Sequence, residues 1–185
     1  GWDPYLEDEA TIWLIHWLLS TNPEQATAWY WLFNRFHKPE FTSKEVSTAL
    51  ADFAKENITA KFSVSSVKQD ASVLLRSYVH KKANSRSPLE EALDSPLSLL
   101  NLISYFQKTK TYHSKLGLKS NLPTGIFGYA INEVFRSRGI SECPIEDLMY
   151  SRDNIVAPGA AFRLTENALL TKIEQLVKYI PGIFK

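Results

Sequence analysis

The chain has one cysteine and one methionine in 185 residues. A single thiol, Cys143, forms neither an intrachain disulfide nor a thiolate-rich zinc site, so a disulfide scaffold is excluded and a cytoplasmic location is expected. Long apolar runs are missing as well. The best stretch, TIWLIHWLL, is broken by His16 and falls well short of the roughly 18 residues that span a bilayer, so no membrane partner is expected. The opening residues are acidic where a secretory signal would be basic. Nuclease motifs are also incomplete. No lysine has Asp or Glu two residues before it, which removes the acidic-x-Lys part of a restriction-type core. The two His-x-Lys triplets, His80 to Lys82 and His113 to Lys115, have Ser87 and Ser120 where a phospholipase D-type motif would need aspartate, and read as basic surface.

What is present is a body able to bury a core. With 44% apolar and 12% aromatic residues, the length suits one large domain or two small ones. The formal net charge of +1 hides an asymmetry. Residues 1–60 carry 4 Lys/Arg against 9 Asp/Glu, residues 61–120 carry 10 against 4, and residues 121–185 carry 7 against 7, or −5, +6 and 0. A basic middle third attracts polyanions through phosphate contacts and counterion release whatever the overall balance.

Local signals predict helices through the first sixty residues. Asp8 caps one reaching about Leu19. Asn22, Pro23 and Gln25 open a second through about Phe36, which His37, Lys38 and Pro39 stop. Thr42 and Glu45 form a capping box for a third, Ser43 to Glu56, with Val46, Leu50 and Phe53 at the spacing of a buried stripe. Ile58 to Phe62 is a connector.

The next helix, Ser63 to Val79, carries the functional signal. Val64, Val67, Ala71, Leu74, Leu75 and Tyr78 line one face, while Ser65, Lys68, Gln69, Ser72 and Arg76 lie outward. A helix, a brief connection and a longer helix offering donors to phosphates and base edges is what a helix-turn-helix requires. Lys81, Lys82 and Arg86 follow, ahead of a capping box at Ser87, Pro88 and Glu90. The segment LLNLISYFQKTKTYHSKLGLK then reads as a β-hairpin wing about a turn at Gln107 to Thr111, with Lys108, Lys110, Lys115 and Lys119 and no acid among them. A winged helix therefore accounts for both halves of the basic block: the helix meets a groove and the wing a phosphate backbone.

The last third reads as a second small helical unit. Pro123 starts a helix to about Arg138, Pro144 a short one through Met149, and Thr165 caps one through about Tyr179, with SRDNIVAPGAAFR as a loop turning at Pro158 and Gly159. Arg136, Arg138, Arg152 and Arg163 are weak nucleic-acid contacts. The expected fold class is mainly α with minor β, made of winged helix-turn-helix-like units. The expected division is 1–120, a tryptophan-rich region leading into a winged-helix-like DNA-binding unit, and 121–185, a small helical unit or second winged-helix-like module.

Hydrolysis of a phosphodiester needs a metal held by carboxylates, or a histidine acting as base or nucleophile. Asp3, Glu7, Asp8 and Glu9 are the only acidic cluster, and carboxylates at a helix start also cap it and favour its dipole. His16, between Trp13 and Trp17, reads as a hydrogen-bonded core or interface residue. Trp29, Tyr30, Trp31, Phe33 and Phe36 read as core first and as a base-stacking platform second, and are too dense for one helix face, which predicts an exposed apolar patch.

All five tryptophans lie within the first 31 residues. The run GWDPYLEDEATIWLIHWLLSTNPEQATAWYWLFNRF resembles the central signature of the SspB-like family, formerly a family of unknown function, of bacterial DNA phosphorothioation systems. PGAAFRLTENALL is similar to that family's Pro-Gly, aromatic, Leu, acidic pattern before its final helix. The resemblance implies the carboxy-terminal part of a component that nicks DNA in anti-phage defence. Its partners would be DNA, a cysteine desulfurase, an ATPase and a sulfurtransferase-like component, with a divalent metal for nicking and no cofactor in this stretch. The alternative is a non-catalytic winged-helix adaptor presenting DNA to the sulfur-transfer and ATPase partners.

Overall fold

The computed structural model describes residues 3, 6, 8–59, 61–79, 95–152 and 155–182. Expected contributions from Glu7, His80, Lys81, Lys82, Arg86 and the Ser87 capping box lie outside them. Eight α-helices and three short strands are present among the described residues: α1 Glu9–Ser20, α2 Thr27–Asn34, β1 Glu40–Phe41, α3 Ser43–Asn57, α4 Val64–Tyr78, a 3-10 segment Pro96–Leu100, β2 Ile103–Phe106, β3 Thr111–Ser114, α5 Thr124–Arg138, α6 Ile145–Met149, α7 Pro158–Ala161 and α8 Glu166–Tyr179. The protein is mainly helical with one small antiparallel sheet.

Most helix starts follow local chemistry. Asp8 accepts from the Ala10 amide at 2.9 Å. The Thr42 hydroxyl accepts from the Glu45 amide while the Glu45 carboxylate accepts from the Thr42 amide at 2.7 Å, so both halves of the box form. That carboxylate also accepts from the Lys38 ammonium at 2.9 Å, and the Lys38 and Thr42 donors together hold its pKa down at about 2. Ser63 and Thr165 cap α4 and α8 in the same way, their oxygens accepting from Ser66 and Ala168. Gly139 ends α5 at φ +63°, the left-handed conformation that a side chain would disfavour.

Four expectations need correction. The second helix begins at Thr27 rather than just after Asn22. Asn22 does accept from the Gln25 amide at 2.9 Å, and Thr27 donates to the Pro23 carbonyl at 2.6 Å, which closes residues 22–26 into a turn before the regular helix. Val64 sits at the end of α4's apolar stripe and is 47% exposed, since the first turn overhangs the body. The stretch around Pro158 and Gly159 is not a plain loop: it forms α7, preceded by an antiparallel bridge between Arg152 and Ile155. The α2 aromatics leave no broad exposed patch. Tyr30, Trp31, Phe33 and Phe36 are buried and Trp29 is half-buried, because α2 is enclosed on several sides at once.

The hairpin β2–β3 pairs Ile103 with Ser114, Ser104 with His113, Tyr105 with Tyr112 and Phe106 with Thr111. The unforeseen strand β1 pairs Glu40 with His113 and Phe41 with Tyr112, giving the sheet order β1-β3-β2. Phe41 stacks parallel on Tyr112, ring centroids 5.9 Å apart, and Tyr112 meets Tyr105 at 4.8 Å, so cross-strand aromatics set the register. The 3-10 segment occupies the Leu-rich run that reads as the start of the first hairpin strand. Asn101 closes it with φ +51°, and the strand begins only at Ile103.

One apolar cluster joins Trp13 and Trp17 of α1, Phe33 of α2, Leu74 and Tyr78 of α4, Phe127 of α5, Phe162, and Leu169 and Leu176 of α8. Polar ties cross the same interior. The Asn34 amide donates to the Ser20 and Tyr30 carbonyls at 2.8 and 2.9 Å and accepts from the Ser151 hydroxyl at 2.7 Å. Lys172 donates to the Leu122 carbonyl at 2.7 Å.

Candidate nucleic-acid interface

The α4 helix is held by Val67, Ala71, Leu74, Leu75 and Tyr78, all buried. That spacing leaves Ser65, Lys68, Gln69, Ser72 and Arg76 exposed on the opposite side, together with Asp70. The N-terminal hydroxyls are already associated, Ser63 Oγ lying 2.9 Å from Ser65 Oγ and 2.7 Å from Ser66 Oγ. Arg76 Nε donates weakly to the Ser72 carbonyl at 3.4 Å. Neither Lys68 nor Arg76 forms an ion pair among the described residues.

The hairpin lysines divide into two kinds. Lys108 and Lys110 stand exposed in the turn, Lys110 with φ +57°. Lys115 and Lys119 are structural. Lys115 Nζ donates to Asn101 Oδ1 at 2.9 Å, and Lys119 Nζ donates to the Lys115 carbonyl at 2.8 Å and the Asn101 carbonyl at 3.3 Å. Lys119 is buried. Desolvation first, then the charges of Lys115 and Arg163, bring its pKa down to about 8. The expectation that it adds to the basic surface therefore fails, since its ammonium is spent tying the chain after β3 to the base of the hairpin.

Two members of the acidic cluster at the start of α1 serve the backbone. Asp3 Oδ2 accepts from the Asp8 amide at 3.0 Å, and Asp8 Oδ1 from Ala10. Glu9 is exposed in the first turn, where its charge favours the helix dipole. Among the described residues no three His, Cys, Asp or Glu side chains are grouped to hold a metal ion.

His113 belongs to the sheet: its ring packs on Phe106 at 4.3 Å, and Nε2 lies 3.2 Å from Thr111 Oγ1 and 3.7 Å from Glu40. Of the four weakly indicated arginines, Arg136 pairs with Glu133 at 3.2 Å and Arg138 with Asp147 at 2.8 Å, while Arg152 is exposed. Arg163 is buried. Its Nη2 donates to the Leu32 carbonyl at 2.8 Å, and its guanidinium carbon lies 5.0 Å from the centre of the Phe33 ring. The sequence offers one local hint of this, since Arg163 sits between two residues, Phe162 and Leu164, that are themselves fully buried.

Two solved structures share the fold. One, described as an SspB crystal structure, matches with a TM-score of 0.76 at 24% identity, over 97% of this chain and 53% of that one. The other, a magnesium ion-bound SspB crystal structure, gives 0.78 at 24% identity, over 96% and 52%. The chain thus spans about half the length of the SspB chains it matches. No curated protein matches the sequence. The family profile described as "Protein of unknown function (DUF4007)" matches residues 1–184, and the chain belongs to that family.

Proposed function

We propose that this chain is the DNA-binding part of an SspB-like component that nicks one DNA strand in a bacterial phosphorothioation and anti-phage system. The observation that carries the reading is the outward face of α4, where Ser65, Lys68, Gln69, Ser72 and Arg76 are exposed opposite the buried Val67, Ala71, Leu74, Leu75 and Tyr78. Hydroxyl, amide, ammonium and guanidinium groups on one helix supply donors for phosphates and for base edges in a major groove. The order α2-β1-α3-α4-β2-β3, with the hairpin's second strand central in the sheet, is the arrangement a winged helix would have, α4 being its recognition helix and the Lys108–Lys110 turn its wing. The shared fold with SspB supports assigning the nicking role, and the cysteine desulfurase, ATPase and sulfurtransferase-like partners, to the whole protein.

Fluorescence anisotropy with a short DNA duplex at several salt concentrations tests the binding face. Lys68→Ala with Arg76→Ala should weaken affinity and lower the slope of log K against log salt by about two, one for each lost phosphate contact. Unchanged affinity and slope remove α4 from the interface.

A second reading, a non-catalytic DNA-binding adaptor, is favoured by the use of the Asp3 and Asp8 carboxylates as backbone acceptors. Supercoiled plasmid incubated with magnesium, or without it, separates the two. Conversion to open circle that disappears when Asp3, Glu7, Asp8 and Glu9 are replaced by amides assigns them to the metal centre of an enzyme. The same variant, if it still nicks, places the chemistry elsewhere.

A further inference from the structure

A pocket of about 530 Å³ opens between the 37–39 segment ahead of β1, the residues after β3 and the first turn of α8. Its wall includes His37, Lys38, Tyr150, Arg163, Thr165 and Glu166. Arg163 is the unusual member. It is 6% exposed, and among the described residues its side chain is partnered by the Leu32 carbonyl and the Phe33 ring face. Its Nε is buried with no acceptor, and no carboxylate pairs with it among the described residues. Removing a guanidinium from water without a counter-charge is costly, and buried cations are ordinarily paired.

Burial lowers the Arg163 pKa only to about 10, so the side chain stays charged at neutral pH. Its field reaches across the pocket. His37 titrates below its ordinary value through partial burial first, and then through the charges of Arg163 and Arg35. The 14-residue helix α8 contributes from the other side. The Thr165 side chain serves the Ala168 amide, which leaves the Glu166 and Asn167 amides, both in the pocket wall, without intrahelical acceptors. Lys38 is already engaged by Glu45. One feature opposes an anion: the Glu166 carboxylate, which accepts from the Tyr150 hydroxyl at 2.7 Å.

We propose that this pocket binds a phosphate-type oxyanion, with the first-turn amides of α8 as donors and the charge of Arg163 beside them, and that the anion is the counter-charge the buried guanidinium lacks. The site is separate from the α4 face and does not depend on it. The same chemistry comes either from free phosphate or from a phosphate carried on nucleic acid.

Titration of the ¹⁵N-labelled protein with inorganic phosphate, at constant ionic strength set with chloride, tests it. Saturable shifts of the Glu166 and Asn167 amides are expected. Glu166→Gln, which removes the opposing charge, should lower the half-saturation concentration about threefold or more. Arg163→Met should abolish the response. Since that change falls in the core, Ala160→Glu, at a half-buried position of the pocket wall, provides an independent block and should raise half-saturation at least tenfold.

To identify the source, a 5′-phosphorylated duplex and its unphosphorylated twin are added to phosphate-loaded protein carrying Lys68→Ala and Arg76→Ala. Displacement by either duplex assigns the pocket to nucleic acid, and displacement by neither, with phosphate still saturating, assigns it to free phosphate. Because the α4 contacts are already removed, the result reads the pocket alone. Absence of saturable phosphate shifts, or identical shifts in the Ala160→Glu protein, overturns the proposal.

Discussion

His16 Nδ1 accepts a hydrogen bond from the Tyr78 hydroxyl at 2.6 Å, joining α1 to α4 through the centre of the protein. The other ring nitrogen, Nε2, lies 2.8 Å from the Ala161 carbonyl. A carbonyl only accepts, so Nε2 carries the proton and Nδ1 takes one from tyrosine. Phe33 meets the imidazole edge to face at 4.6 Å. The ring therefore fastens α1, α4 and α7 while remaining neutral, and complete burial brings its pKa down to about 3.

Tyr78→Phe keeps the ring and removes the donor, leaving a buried imidazole nitrogen without a partner. The expected cost is about 1–3 kcal/mol, read from the midpoint of urea unfolding with an unchanged m-value. A midpoint equal to that of the parent protein would show that the hydroxyl contributes nothing to holding α4.

The His16 pKa lies below its unfolded value of 6.5, so the unfolded chain binds a proton that the folded chain refuses. Its contribution to stability is complete above about pH 6.5 and declines as the pH falls toward 3, at up to about 1.4 kcal/mol per pH unit. Urea titrations between pH 7 and 4 measure that slope. His16→Gln should flatten it, and a slope equal to that of the parent would assign the acid sensitivity to other groups.

In the hairpin, Lys108→Ala combined with Lys110→Asn should weaken duplex binding and reduce the salt slope by about two. Asparagine is chosen at 110 because the backbone there is left-handed, a conformation it tolerates. Lys115→Ala should behave differently, lowering the unfolding midpoint by releasing Asn101 rather than changing the salt slope. Anisotropy and urea unfolding on the same samples distinguish the two effects. Equal losses of affinity in both variants would mean that Lys115 also touches phosphate.

Two glycines mark close approaches of different stiffness. A Cβ on Gly159 would lie 2.8 Å from the Met149 Cα, which is backbone, whereas one on Gly128 would meet the tip of the Leu176 side chain at 2.7 Å. Backbone cannot rotate away, so Gly159→Ala should lose about 1–3 kcal/mol or more and Gly128→Ala less. Thermal unfolding of the two variants checks the order, and a larger loss at Gly128 would contradict it.

Several helix starts were legible because capping is decided within four residues. The Asp8 cap of α1, the Thr42 and Glu45 box and the Thr165 cap of α8 all form as their local spacing predicts. The α4 stripe was equally readable from its period, apart from Val64, which no element among the described residues covers. The strand β1 was not readable. Glu40 and Phe41 pair only because Tyr112 and His113 arrive beside them, and two residues carry no alternation of their own.

By itself the chain determined where α1, α3 and α8 begin, which face of α4 turns inward and where the hairpin reverses, since each of these rests on hydrogen bonds and side-chain periods between close neighbours. Only the tertiary structure decided which cations stand in solvent. Lys119 and Arg163 look like surface charges in the sequence, yet both are enclosed, Arg163 by a carbonyl 131 residues away. Solvation of a charge depends on everything packed around it, and that is set when distant segments meet.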